Sequence, residues 1–210
     1  MRKATQIVAA SFGFIAGIAG LEHGYFEFLQ GNARPVSLMF ASMGSPCVPE
    51  RIWHACEPAI TILPNYMITG ILTVILGLLT MIWSAIYVKR KNGGSILILL
   101  SIILLLFGGG FFPPLFGMVG GTAGIKINKS LTGKTIGSFM RFAAKLWPWP
   151  LVIFMAWVLG QYLVGYFFNV FLRSIMGFSV LLMVVMLPLS VYAGYAYDAQ
   201  NEIDAPATSI

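Results

Sequence analysis

The chain has 210 residues, of which 58% are hydrophobic and only 10% are charged, with a formal net charge of +6. Soluble domains carry about 25% charged residues, so the composition excludes a soluble globular fold, and the high hydrophobicity excludes an intrinsically disordered chain. The basic residues lie beside apolar segments without a nucleic-acid-binding motif, so we expect phospholipid, and no nucleic acid, as the acidic partner.

The first apolar segment predicts a membrane span over about residues 5–29, because about 20 apolar residues cross a bilayer. Arg2 and Lys3 precede it as in a secretory signal, and we expect an uncleaved signal anchor. A stripe of small residues lets a second helix approach closely in lipid, where packing replaces the hydrophobic drive. Four glycines form such a stripe at spacings of four, three and four: Gly13, Gly17, Gly20 and Gly24.

The glycine stripe runs into GLEHGYFEF, residues 20–28, where two acids and a histidine follow an uncharged stretch. His23 and Glu27 are four residues apart and share one helical face, which we expect to face protein. An unpaired charge at mid-span costs about 2.5 to 3.5 kcal/mol on insertion scales. Two interpretations stay open: Glu22, His23 and Glu27 form a site for a proton, cation or small ligand, or a structural pair at the end of the span.

Residues 30–58 form a polar loop that we expect outside the cytoplasm. The loop contains Cys47 and Cys56, the two cysteines of the chain. In an oxidising compartment they can close a disulfide loop of about ten residues, worth about 2 to 3 kcal/mol in the chain-entropy model. The alternatives are two free thiols or a redox or metal role, although the spacing differs from the C-x-x-C of a catalytic dithiol.

The same loop supplies a second histidine and carboxylate. His54 and Glu57 are three residues apart and precede the second span, so one helical turn aligns their side chains. Together with His23 and Glu27 they make a set of two histidines and two carboxylates, which zinc or iron can use. The alternative is a surface histidine and glutamate that flank a helix start, and the spacing matches no specific zinc motif.

The second span is predicted over about residues 59–88 and ends at Lys89, Arg90 and Lys91. The next apolar block, 95–125, is about 46 Å long as a helix, against a hydrocarbon core of about 30 Å. Its centre, FGGGFFPPLFG, disfavours regular helix because glycine is flexible and proline lacks a backbone donor. The block is therefore predicted to be broken or re-entrant.

Residues 126–146 form a basic segment whose apolar and basic side chains fall on opposite helical faces. This pattern is typical of an interfacial helix. We expect Lys134, Arg141 and Lys145 to contact anionic lipid headgroups, each contributing about 1 kcal/mol. A basic loop that leads into an ordinary helix is the alternative.

The C-terminal part of the chain predicts two more spans, over about residues 147–171 and 175–197, joined by a tight turn near Arg173. The remaining residues, 198–210, are acidic and polar. We expect them to form a frayed tail.

Lysine and arginine counts predict the orientation, because cytoplasmic flanks carry the excess. With a cytoplasmic N-terminus, a block 95–125 that crosses completely leaves six basic residues inside against seven outside, whereas a returning hairpin gives ten against three. The counts favour the hairpin and a cytoplasmic N-terminus, and we expect the protein in the plasma membrane.

The sequence thus predicts an all-α polytopic membrane bundle of about five hydrophobic helices, the third broken. Because no catalytic signature accompanies the polar cluster, the favoured function is non-enzymatic. It is a small carrier or a subunit of a membrane complex, with the lipid bilayer and a membrane protein or a second copy as partners. The alternative is a membrane-embedded enzyme whose cofactor is a divalent metal held by His23, Glu27, His54 and Glu57.

Overall fold

A computed structural model of the chain describes residues 2–44, 46–129 and 136–204. Within these ranges the fold is helical with very little strand, as predicted. The helices are α1 (Lys3–Leu29), α2 (Tyr66–Ile82), α3 (Gly93–Leu106), α4 (Phe112–Lys126), α5 (Ser138–Leu146), α6 (Trp149–Phe167), α7 (Asn169–Ser174) and α8 (Met176–Asp204). A π-helical turn, Trp83–Tyr87, continues α2, and two short strands, β1 (Met39–Ala41) and β2 (Pro58–Ile60), pair antiparallel.

Four helices are long and apolar enough to cross a membrane: α1, α2 with its π-helical turn, α6 and α8. They indicate an integral membrane protein. Helices α3 and α4 have 14 and 15 residues, or about 21 and 22 Å at 1.5 Å per residue, which is shorter than a hydrocarbon core of about 30 Å. The described chain therefore has four candidate spans, and the predicted count of about five is not confirmed.

The block predicted over 95–125 folds as two half-length helices that pack side by side. Gly94, at the start of α3, lies so close to Gly121 and Ile125 of α4 that an added Cβ would meet their backbones. The two helices are thus antiparallel, and their connecting segment, 107–111, lies at the opposite end. Pro113 is in the first turn of α4, where its missing N–H leaves no bond unmade.

The glycine stripe of α1 packs against α2, which runs antiparallel to it. A Cβ on Gly17 would lie 2.6 Å from the Gly77 carbonyl oxygen, and a Cβ on Gly70 would lie 2.6 Å from that of Gly24. The two backbones therefore touch directly at two levels, as the stripe predicts.

Aromatic packing fills the middle of the bundle. The Phe154 ring of α6 lies 4.8 Å from that of Phe12 on α1 and 5.2 Å from that of Phe116 on α4, both edge to face. This cluster joins α6 to the compact unit formed by α1 and α4.

At the end of the bundle where α1 begins, α8 caps α1. The Asp198 carboxylate accepts hydrogen bonds from the backbone N–H groups of Ala4 and Thr5, at 3.0 and 2.7 Å, and from the Thr5 hydroxyl. Asp198 is only 9% exposed. The tail predicted to fray from residue 198 is therefore helical as far as Asp204, because its first acid is a buried cap.

Two other boundaries differ from the predictions. The second span begins at Tyr66 rather than near residue 59, because Pro58–Ile60 pairs with β1 and the Asn65 side chain caps α2. The span predicted over 147–171 ends at Phe167, and a short separate helix, α7, follows. Apolar runs of this length do not distinguish strand from helix, which explains the first difference.

The lysines and arginines of the described chain divide unevenly between the two ends. We call the end where α1 begins the basic end, and the end that carries residues 30–65 the loop end. Contacts of Arg2 with α4, and of Asn128 with the Lys89 and Arg90 carbonyls, bring the basic segments together. Of the described lysines and arginines, nine lie at the basic end (Arg2, Lys3, Lys89, Arg90, Lys91, Lys126, Lys129, Arg141 and Lys145). Three lie at the loop end (Arg34, Arg51 and Arg173).

Helix α5 is amphipathic, as predicted for an interfacial helix. Its Ala143 and Ala144 are buried against Ala196 of α8, whereas Arg141 and Lys145 are exposed. Lys134 lies outside the described residues. Contact of these basic side chains with anionic lipid stays a prediction.

Candidate functional site

The loop end is covered by the segment between α1 and α2. Cys47 and Cys56 form a disulfide, which confirms the predicted pairing. Thr61, the residue after β2, forms an antiparallel β-bridge with Phe107 in the segment between α3 and α4. The disulfide and this pairing hold residues 47–61 over the loop end of α1.

Two histidine–carboxylate pairs join this loop to α1. His54 Nε2 lies 3.2 Å from Glu22 Oε1, and His23 Nε2 lies 3.5 Å from Glu57 Oε2. Each pair thus combines one residue of α1 with one of the loop. The Tyr162 hydroxyl of α6 donates a 2.7 Å hydrogen bond to Glu22 Oε2, so the Glu22 carboxylate connects three separate elements.

Glu57 also connects the loop to the start of α4. Its Oε1 accepts hydrogen bonds from the backbone N–H groups of Phe111 and Phe112, at 3.3 and 3.1 Å. A carboxylate at a helix N-terminus is favoured by the helix dipole. Burial raises the pKa of Glu57, but the hydrogen bond and attraction of His23, together with the Phe112 N–H, outweigh it and hold that pKa below its ordinary value. Glu57 is therefore an ionised anchor.

Glu27 has the opposite surroundings. It is completely buried, and neither carboxylate oxygen has a hydrogen-bond partner among the described residues. The segment 107–111 lies over it: an added Cβ on Gly108 would meet both Glu27 oxygens, and one on Gly110 would lie 2.5 Å from His23 Cε1. These glycines have φ values of +99° and +73°. His23 and Glu27 thus face protein, as predicted, and what they face is the break between α3 and α4.

A cavity of about 310 Å³ opens beside the histidine–carboxylate pairs. Most of its wall is apolar and comes from α4, α6 and α8, including Phe116, Val158 and Met183. Its polar lining residues include Glu22, His23, His54, Glu57, Gln161 and Tyr162. The cavity is therefore an apolar space with hydrogen-bonding groups gathered on one side.

A short polar chain fixes the α6 side of the cavity. Trp157 Nε1 donates to Ser179 Oγ, and Ser179 Oγ donates to Gln161 Oε1, each at 2.9 Å. Gln161 is thereby held on the cavity wall beside Tyr162. Tyr162 was not among the candidates drawn from the sequence. The one signal was a polar pair, Gln161 and Tyr162, within an apolar span.

The four residues of the predicted metal set are divided between different partners. His23 pairs with Glu57, His54 pairs with Glu22, and Glu27 joins neither pair. Across residues 2–44, 46–129 and 136–204, no group of three or more His, Cys, Asp or Glu side chains is arranged to hold a metal ion.

The arrangement offers acid–base groups, hydrogen bonds and a small apolar space at one end of a membrane bundle. Glu22 and His23 contribute to it from α1, together with His54, Glu57 and Tyr162 from elsewhere in the chain. Glu27 is buried beside it without a hydrogen-bond partner among the described residues. The chain matches no known protein-family model, and comparison with curated proteins and solved structures found no significant match.

Proposed function

We propose that the protein is a non-enzymatic membrane carrier, or a binding subunit of a membrane complex, that takes a small, mostly apolar molecule into the cavity. The observation that carries this proposal is an apolar space whose polar groups converge on one side. Ligand sites of proteins typically occupy about 300 to 1,000 Å³. At about 310 Å³, the cavity suits a single ring or a short chain with one polar group.

Glu22, His54 and Tyr162 receive the polar group of the ligand in this proposal. The Glu22 carboxylate already accepts bonds from both partners, so a ligand hydroxyl finds a charged acceptor there. Charge-assisted hydrogen bonds are about twice as strong as neutral ones. The apolar remainder packs against α4, α6 and α8.

The loop end lies outside the cytoplasm in this proposal, and the N-terminus lies inside, at the plasma membrane. The uneven division of basic residues supports that orientation. The disulfide supports it independently, because disulfides persist in oxidising compartments. The ligand therefore arrives from the outer side or the outer leaflet.

Quenching of Trp53 fluorescence tests the proposal, because Trp53 lines the cavity. The protein is prepared in nanodiscs with Trp83, Trp147 and Trp149 replaced by phenylalanine. Trp157 is kept because its bond to Ser179 fixes the cavity wall, and para-bromobenzyl alcohol is added as a heavy-atom quencher. Ala19 also lines the cavity, whereas Ile18, the preceding residue on α1, is 37% exposed. The substitution Ala19→Phe fills the cavity, and Ile18→Phe is its matched control.

We expect saturable quenching in the parent protein and in Ile18→Phe, and loss of the saturable component in Ala19→Phe. Glu22→Gln weakens the saturable binding, because a neutral acceptor replaces the carboxylate. Quenching that rises linearly and equally in all variants reports only partition of the alcohol into lipid, and it would refute a binding cavity.

A further inference from the structure

The break between α3 and α4 lies against two carboxylates, and it treats them differently. The start of α4 donates two backbone N–H groups to Glu57. Gly108, which follows the end of α3, lies against both oxygens of Glu27. Helix N-termini carry partial positive charge, so the break stabilises an ionised Glu57, whereas neither oxygen of Glu27 receives a hydrogen bond among the described residues.

Among the described residues, no lysine or arginine side chain pairs with Glu27. Within the described chain, ion pairs of Lys and Arg side chains go to Glu50 and Glu202, and Glu27 has none. The ionisable groups that face it are His23, one turn earlier on α1, and Tyr66, at the start of α2, which is electrostatically coupled to it. The break itself, residues 107–111, has no ionisable side chain, and His23 is already paired with Glu57.

Burial of an unpaired carboxylate costs so much free energy that the group takes up a proton instead. Glu27 is 0% exposed and is not among the residues that line the cavity of about 310 Å³, so in this conformation its oxygens have no direct contact with bulk water or a hydrated cation. We propose that Glu27 is a proton-binding site whose bound proton keeps the α3–α4 break docked against α1.

Loss of this proton acts directly on the cavity. An ionised Glu27 requires hydrogen-bond donors or water that its closed surroundings do not supply, so the break must move away from α1 to admit them. Phe112 and Pro113 follow the break and line the cavity, so its shape changes together with the Glu57 anchor. In this respect the inference rests on the proposed function, because it makes ligand binding depend on the proton.

His23 offers a route for the proton. It lies one turn from Glu27 and lines the cavity, and its Nδ1 is buried without a hydrogen-bond partner among the described residues. Neither Glu27 oxygen is hydrogen-bonded to Nδ1 in the structure, so transfer requires a rotation that brings the carboxyl and the ring into contact. The Glu27 O–H bond then breaks as Nδ1 gains the proton, and Nε2 releases its own proton toward the cavity. Glu27 ends as a carboxylate, and the imidazole ends neutral in its other tautomer.

Infrared difference spectroscopy tests the proton site without a ligand. The protein is studied in nanodiscs with a chelator present, beside the isosteric variant Glu27→Gln and the matched control Glu22→Gln. We expect the parent protein to show the carbonyl stretch of a protonated carboxyl at neutral pH, and deuterium exchange to shift this band. The band should be absent from Glu27→Gln and retained in Glu22→Gln. A spectrum without this band, or a band that survives in Glu27→Gln, overturns the proposal.

The quenching assay then tests the coupling, because para-bromobenzyl alcohol does not ionise in the working range. We expect alkaline pH to weaken its binding to the parent protein by about tenfold for each pH unit beyond the titration, and to leave Glu27→Gln much less affected. Equal pH profiles overturn the coupling. If the alcohol binds saturably at no pH, the proposed function fails, and the infrared band alone decides whether Glu27 binds the proton.

Discussion

The contact between the break and His23 can be tested with two glycines of nearly equal φ. Gly110 has φ +73° and Gly31, which follows the end of α1, has φ +71°. Their surroundings differ: a Cβ on Gly110 would lie 2.5 Å from His23 Cε1 and 2.6 Å from Nε2, whereas one on Gly31 meets no atom within 4 Å. Gly31→Ala is therefore the matched control for Gly110→Ala.

Both variants lose stability because an alanine disfavours positive φ by about 1 to 2 kcal/mol. Gly110→Ala must also displace the His23 ring by about 1 Å to reach ordinary contact, and overpacking of this kind typically costs about 1 to 3 kcal/mol. The displacement also moves His23 Nε2 away from Glu57 Oε2, which lies 3.5 Å from it in the unsubstituted protein. We therefore expect Gly110→Ala to be less stable than Gly31→Ala by about 1 to 3 kcal/mol.

Reversible unfolding in mixed detergent micelles, followed by tryptophan fluorescence, measures this difference. The quenching assay adds a second readout, since only Gly110→Ala should weaken binding of para-bromobenzyl alcohol. Equal losses of stability in the two variants would show that the break does not press on His23. The account of the site given above would then be wrong.

Three further predictions concern the helix seam, the anchor and the loop. Gly70→Ala should lower the free energy of unfolding by about 1 to 3 kcal/mol, because its Cβ would meet the backbone of α1. The control Gly160→Ala has open space around its Cβ and should be neutral or stabilising by up to about 1 kcal/mol in the same unfolding assay. The pKa of Glu57 is lowered in the folded protein, so the ionised side chain stabilises the fold above the ordinary pKa of a glutamate, and this stabilisation is lost as pH falls through the folded pKa. Glu57→Gln should therefore flatten the dependence of the unfolding midpoint on acid pH. An unchanged slope in that variant would contradict the role of Glu57 as an ionised anchor. Replacing Cys47 and Cys56 together by serine should cost about 2 to 3 kcal/mol and weaken quencher binding, and wild-type affinity in that variant would show that the loop keeps its place without the disulfide.

Features that depend on local spacing were predictable from the sequence. The glycine stripe follows from residues three and four apart on one helix, and its contact with α2 is present at Gly17 and Gly24. The broken third segment follows from the intrinsic properties of glycine and proline. The disulfide follows from two cysteines in one polar loop.

Features that depend on how distant elements meet were not predictable. Tyr162 bonds to Glu22 across 140 residues, and nothing local to α6 specifies which of its faces turns toward α1. The partners of the two histidines likewise depend on tertiary structure. His23 of α1 pairs with Glu57 of the loop, and His54 of the loop pairs with Glu22 of α1. The count of about five spans is not confirmed, since composition alone does not distinguish one long crossing from two short helices folded back on each other.

The cap of α1 by Asp198 has a consequence for biogenesis. The carboxylate lies 194 residues after the first amide it binds, so α1 enters the bilayer with its leading N–H groups open while most of the chain is still to be translated. Those groups must meanwhile be satisfied by water or lipid headgroups. The cap can form only after α8 has been inserted, and it therefore marks the moment at which the earliest and latest membrane helices close into one bundle.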